Sequence, residues 1–203
     1  MFRKSKIFHL FSLLLITGLV FACLPAAEVQ AASGETLYVA NWSSITDAGV
    51  TGRPAVVKVG ETYHMWYGPT DTALYHTTST DPASFSAGTQ TTYDSTPMEV
   101  ASPAVFEEGG IFYMVAYKAS SNLIFSLYSS NDGDSWNYVK DVFDASSFAD
   151  INKIDSPFVF KDGGTFRLYF QLKNAAKTNY KIYTAESSQA ITDPEFAFTI
   201  ANS

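Results

Sequence analysis

Three acidic residues stand a short way ahead of three prolines in this chain: Asp47 seven residues before Pro54, Glu99 four before Pro103 and Asp155 two before Pro157. Carboxyls gathered from separate segments can divide acid–base work, one kept protonated to donate and the other ionised to accept or attack. The unequal offsets do not define one repeated backbone position. Each acid therefore also reads as an ordinary loop residue, and Asp155 as a turn cap that accepts backbone N–H bonds. The residues directly ahead of the prolines are Arg53, Ser102 and Ser156. Arg53 is a candidate to bind a hydroxyl or a carboxylate, with a structural ion pair as its alternative. Trp66 is a candidate stacking surface for a flat apolar ligand face; like Tyr67, it also reads as a core aromatic. His64 and His76 have no third ligand in phase, so a metal pair is not expected. No serine, histidine and aspartate form a nucleophile constellation, and Gly109-Gly110 and Gly163-Gly164 read as hairpin turns rather than phosphate cradles.

The elements that must position these residues come from one phrase written three times. It reads RPAVVKVGETYHMWY from residue 53, SPAVFEEGGIFYMVAY from 102 and SPFVFKDGGTFRLYF from 156. In each copy a turn glycine (Gly60, Gly109, Gly163) follows the proline by six residues. The copies lie about 50 residues apart, a period that suggests propeller blades of four short strands. Apolar runs of four to eight residues, rich in Val, Ile, Tyr and Phe and punctuated by Gly, Asn, Asp and Pro, favour strands over buried helices. Blade one is expected at about 53–99, with strands at 55–59, 62–67, 73–79 and 89–93. Blade two is expected at about 100–150, closing at 136–143, and blade three at about 151–203, closing at 196–200. The turn TDPEF at 192–196 echoes TDPASF at 80–85, each ahead of a fourth strand. The expected fold is all-β. Three blades do not close a ring, which takes at least four, so the expectation is an incomplete propeller.

Composition limits the partners. The chain has 203 residues and a formal net charge of −7, with no basic stripe to meet phosphates, so nucleic acid is not an expected partner. Residues 1–31 read as an export signal: Arg3, Lys4 and Lys6, then an apolar run, then Val29-Gln30-Ala31 as a small-x-small cleavage site. A secreted protein with no membrane span after cleavage follows. The single cysteine, Cys23, lies inside that segment. The mature chain then has no disulfide and no cysteine nucleophile. Val20-Phe21-Ala22-Cys23 alternatively resembles a bacterial lipoprotein box, in which Cys23 would carry the lipid.

The phrase P-x-V-x-x-x-G-x-x-Y-x-M-W-Y, followed by S-x-D-G-x-x-W, resembles the five-bladed propeller glycoside hydrolases, the arabinanase, xylosidase, invertase and levansucrase superfamily that includes families 43, 32 and 130. The residues that carry it are Pro54, Val56, Gly60, Tyr63, Met65, Trp66 and Tyr67; Pro103, Val105, Gly109, Tyr113, Met114, Ser130, Asp132, Gly133 and Trp136; and Pro157, Val159, Gly163, Phe166, Leu168 and Tyr169. The resemblance implies about three of five blades and a carbohydrate substrate. It also implies catalytic carboxyls at the starts of the innermost strands, facing a central funnel. By position these are Asp47 as base, Glu99 from the second blade and Asp155 from the third. Asp directly before Pro, frequent in the family, is absent from all three copies. No cofactor is implied; some members hold calcium in the funnel, which no residue here indicates. Residues 129–136 also resemble the Asp-box of six-bladed sialidases, with Asn131 where that motif has Asp. A non-catalytic carbohydrate-binding propeller, or an inactive fragment, is the alternative.

Overall fold

Each repeated phrase folds into an antiparallel meander. The computed structural model describes residues 29–30, 36–37, 50, 52–70, 72–100, 102–117, 121–174, 176 and 180–200. The chain divides into two compact units, 1–46 and 47–203. In the first, β1 (Val29–Gln30) pairs antiparallel with β2 (Thr36–Leu37). The basic and apolar parts of the export segment, Cys23 and Asp47 lie outside the described residues.

The second unit holds three sheets. Blade one is β3 (Arg53–Val59), β4 (Thr62–Thr70), β5 (Ala73–Ser79) and β6 (Thr89–Gln90), in that order. Blade two runs from β9 (Ala104–Glu108) through β10 (Ile111–Tyr117) and β11 (Ile124–Ser130) to β12 (Ser135–Asp144), and carries β7 (Thr92–Tyr93) and β8 (Thr96–Pro97) beyond β12. Blade three is β13 (Ile151–Asp162), β14 (Thr165–Asn174), β15 (Tyr180–Ser187) and β16 (Thr199–Ile200). No helix occurs among the described residues.

Two expectations need correction. The strand expected at 89–93 is split: residues 89–90 close blade one, whereas Thr92–Tyr93 run parallel to β12 of blade two. The crossing is made at buried Thr91, whose amide donates to Leu74 O at 2.8 Å while Leu74 N donates to Met98 O at 3.0 Å. The segment 151–157, expected as a loop, is the first half of β13, paired against the end of β14. The ladder slips between Asp155 and Phe158, around Pro157, which has no amide to contribute.

No ladder joins β3 to β9 or β9 to β13; side-chain burial holds neighbouring blades together, helped by single backbone bonds such as Ile154 N–H to Asn122 O and Phe198 N–H to Val142 O, both at 2.8 Å. Alternation along β10 shows how. Phe112, Met114 and Ala116 enter a core with Trp66, Leu74 and Trp136. Tyr113, Val115 and Tyr117 enter another with Phe125, Phe143, Leu168 and Phe170. A fully buried side chain of this size contributes about 1.5–3 kcal/mol. The two TDP turns form the same structure: Asp81 Oδ1 accepts from Ala83 N and Asp193 Oδ1 from Glu195 N, placing Phe85 and Phe196 inside.

The turn at 130–136 fastens blade two to blade one. Asp132 Oδ1 accepts from Asp134 N and Ser135 N, both at 2.8 Å, and from Ser130 Oγ at 2.9 Å. The Ser135 amide is the main influence holding its carboxyl below the ordinary range, against a smaller opposing effect of burial. Asp132 thus shapes the turn. Gly133, at φ 84°, then presses on blade one: its carbonyl accepts the Trp66 indole N–H at 2.7 Å. A Cβ on Gly133 would stand 2.9 Å from both His76 Cε1 and Trp66 Cζ2. Asp134 Oδ1 meets His76 Nδ1 at 2.9 Å, and His76 Nε2 meets His64 Nδ1 at 3.1 Å. One proton serves that last contact; a second would set N–H against N–H. Burial first, and His76 second, lower the His64 pKa, with Asp134 opposing.

Gly133→Ala is expected to cost about 2–4 kcal/mol in urea unfolding, from left-handed backbone strain and overpacking together. Gly60→Ala, also at positive φ but with open space around its Cβ position, should cost only about 1–2 kcal/mol, the backbone term alone. Because the folded pKa of His64 lies below its unfolded value, the unfolded chain takes up the proton first on acidification. Stability should be full above about pH 6.5 and fall below it, and His64→Gln should flatten the decline in Tm over that window.

Candidate functional site

The positions just ahead of the three prolines converge. Arg53 at the start of β3, Ser102 ahead of β9 and Ser156 within β13 line one cavity of about 330 Å³ together with Pro54, Pro103 and Pro157. A neighbouring cavity of about 360 Å³ shares Arg53, Ser102 and Ser156 and extends to Lys153, Asp155 and Lys173. Three equivalent positions from three sheets thus meet on a common axis, in a basin open to solvent. Arg53 Nη1 donates to Ser102 Oγ at 3.1 Å, tying the head of blade one to that of blade two.

The β13–β14 pairing builds the charged wall of this basin. Lys153 lies directly opposite Lys173 in the ladder, and Asp155 lies two residues on, on the same face as Lys153. Like charges placed opposite one another destabilise a sheet. The Asp155 carboxylate relieves this pair: its Oδ2 accepts from Lys173 Nζ at 2.5 Å and stands 3.4 Å from Lys153 Nζ. Lys153 Nζ also rests 5.0 Å above the Tyr117 ring. At the bulge Ser156 takes φ 51°, and its amide donates to Asp155 Oδ1 at 2.8 Å.

Asp155 is 6% exposed. Burial alone would raise its pKa. The Lys173 hydrogen bond, the Lys153 charge and the Ser156 amide outweigh burial and hold the carboxyl below its ordinary value. An ionised carboxylate so held can accept a proton, attack, or orient a bound hydroxyl. It does not carry the proton that a general acid donates.

Of the residues singled out from sequence, Arg53 and Asp155 stand in the basin. Glu99 is exposed on the segment joining β8 to β9 and is not among the basin's described lining. Asp47 lies outside the described residues. Trp66 is corrected: it is fully buried, its ring 4.7 Å from that of His76 and edge-on to Trp136, and it has no face to offer a ligand. Lys153 and Lys173 were missed. The i, i+2 spacing of Lys153 and Asp155 was a usable signal once 151–157 is known to be strand, but Lys173 needs the register. Among the described residues no group of three side chains is arranged to hold a metal ion.

No family model matches the chain, and no curated protein matches it. Solved structures do. An endo-1,4-beta-xylanase from Bacteroides thetaiotaomicron superposes with a TM-score of 0.56 at 15% identity, over 76% of this chain and 55% of that one. The GH32 beta-fructofuranosidase of Bombyx mori gives 0.54 at 17% identity, over 77% of this chain and 37% of that one. An alpha-L-arabinofuranosidase from Clostridium thermocellum gives 0.51 at 17% identity, over 76% and 51%. This chain matches about a third to a half of the length of those structures. The shared fold is that of part of a five-bladed propeller.

Asp155→Asn strands two ammonium groups against each other and is expected to cost about 1–3 kcal/mol near neutral pH, the partial exposure of both lysines tempering the loss. Because the folded pKa lies below the unfolded one, this contribution is complete above about pH 4 and lost as pH falls further. Urea titrations of wild type and variant should therefore converge in acid.

Proposed function

We propose that this is an exported carbohydrate-active protein of the glycoside hydrolase type, working at the axial basin. The observation that carries the reading is the meeting of Arg53, Ser102 and Ser156 with a buried, ionised Asp155 at the heads of three innermost strands. The propeller likeness to sugar-cleaving enzymes supports a glycan as the ligand. In a hydrolytic cycle Asp155 supplies the ionised carboxylate that activates water or stabilises positive charge at the anomeric carbon. The second carboxyl, which protonates the leaving oxygen, then falls to Asp47, reversing the base role that the resemblance gave it.

A second reading is favoured by one feature. Asp155 is the sole acid among the described residues that line the basin, and two lysines already engage it. A propeller that holds glycan without cleaving it needs no proton donor. Chromogenic arabinofuranoside and xyloside assays, run beside a glycan array, separate the two. Hydrolysis lowered about 100-fold or more in both Asp155→Asn and Asp47→Asn supports the enzyme. Unchanged rates remove those two assignments, and glycan binding without turnover by the wild type establishes the binding module.

A further inference from the structure

We infer that the outward face of blade three is a docking surface for a second copy of this chain, blade three against blade three about a two-fold axis. On blade two, Ala104, Phe106 and Val115 follow Pro103 by one, three and twelve residues. All three belong to, or pack against, the core shared with blade three. The residues at the same offsets from Pro157 are Phe158, Phe160 and Tyr169. The strand register adds a fourth equivalence. Tyr117 and Gln171 each stand fourteen residues after the marking proline; Phe125 lies opposite the first and Ile182 opposite the second. Phe125 is fully buried, its ring edge-on to that of Phe170 of blade three at 5.7 Å. Ile182 is 77% exposed, Phe158 59%, and Phe160 and Tyr169 37% each. Blade three thus repeats, in apolar residues, the face with which blade two receives a neighbouring blade, and leaves it open to solvent.

The exposed residues form one patch. Phe158 lies opposite Tyr169 in the ladder, and the Phe160 ring sits 5.9 Å from each of theirs, stacked on that of Tyr169. Thr184 is the next partner of Tyr169, and Ile182 stands two residues before it on the same side of β15. A contiguous exposed apolar patch marks an interaction site. Sheet faces bury such patches against other sheets, about 10 Å apart, so the occupant is a sheet with a free apolar face of its own. A second copy brings one. Blade one of that copy is not the partner: Met65 and Tyr67 on its outward side are already buried with Phe85 of the same blade. Blade three of the copy is the face left open, and its contact with an identical face closes at two subunits. Arg167, paired with Asp162 and Glu186 at the turn end of the sheet, stands at the rim of the patch with its charge already answered. The contact is therefore apolar at its centre and holds at high salt.

Sedimentation velocity on the full chain, over a concentration series from about 1 to 300 μM, tests this. One blade face is small for a specific interface, so a reversible monomer–dimer exchange is expected with a dissociation constant of about 1–100 μM, persisting at about 1 M salt. Phe158→Glu and Ile182→Glu place an unpaired carboxylate in the contact and should each weaken association about tenfold or more. Val56→Glu, at an exposed position on blade one, should leave it unchanged. Unaltered urea unfolding of each variant assigns the effect to association. A chain monomeric throughout the series overturns the inference, as does a dimer that neither blade-three variant weakens. Species that grow beyond a dimer, or a dimer that Val56→Glu disrupts, show a head-to-tail contact and overturn it too. A chain that stays monomeric while Phe158→Glu abolishes xylotriose binding gives the face to a glycan instead. The axial basin takes no part in the contact, so these outcomes leave the hydrolase assignments of Asp155 and Asp47 to their own assay.

Discussion

Strand β10 of blade two is covered on both faces, and the rest of the second unit follows from that. Every second residue of β10 enters the core shared with blade one, and the intervening ones enter the core shared with blade three. A strand covered on both sides must be apolar throughout, which is why Ile111–Tyr117 shows no polar alternation. The blades on either side are less constrained. Val56 on blade one, and Phe158 and Ile182 on blade three, remain exposed. With no backbone ladder between β9 and its neighbours, the fit of side chains on both faces of blade two sets where β3 and β13 lie. Their heads, and hence Arg53 and Ser156, then fall beside Ser102.

The basin inherits its chemistry from a local irregularity. Pro157 interrupts the ladder, Ser156 turns into the left-handed region, and the freed amide goes to Asp155. An acid beside a proline bulge is thereby kept ionised in a buried place, where burial alone would raise its pKa. The cations that achieve this come from both strands of one hairpin, so the protonation state of Asp155 depends on the β13–β14 register. The same register places two like charges opposite each other.

Several conspicuous residues outside the basin act as fasteners. Asp132 and Gly133, in a turn resembling a motif of sialidases, shape a plug against Trp66 and His76. Trp66 is the socket for that plug. His64 and His76 continue the contact as a chain of hydrogen bonds ending on Asp134. Here the turn joins one blade to the next.

What the sequence by itself determined was everything of short range. Strand identity followed from apolar runs between turn residues. The three meanders followed from the recurrence of proline and glycine at fixed spacing, and the equivalence of the TDP turns from a three-residue pattern that each aspartate caps in the same way. Arg53 and Asp155 were found because they stand close to the marking prolines. What only the tertiary structure decided was which of these short-range features meet. The split of 89–93 between two blades, the burial of Trp66 between sheets, the extension of β13 back to Ile151 and the arrival of Lys173 beside Asp155 all depend on pairing register and on packing between sheets. Those are set by the summed burial of many side chains distant in sequence, and no local spacing encodes that sum.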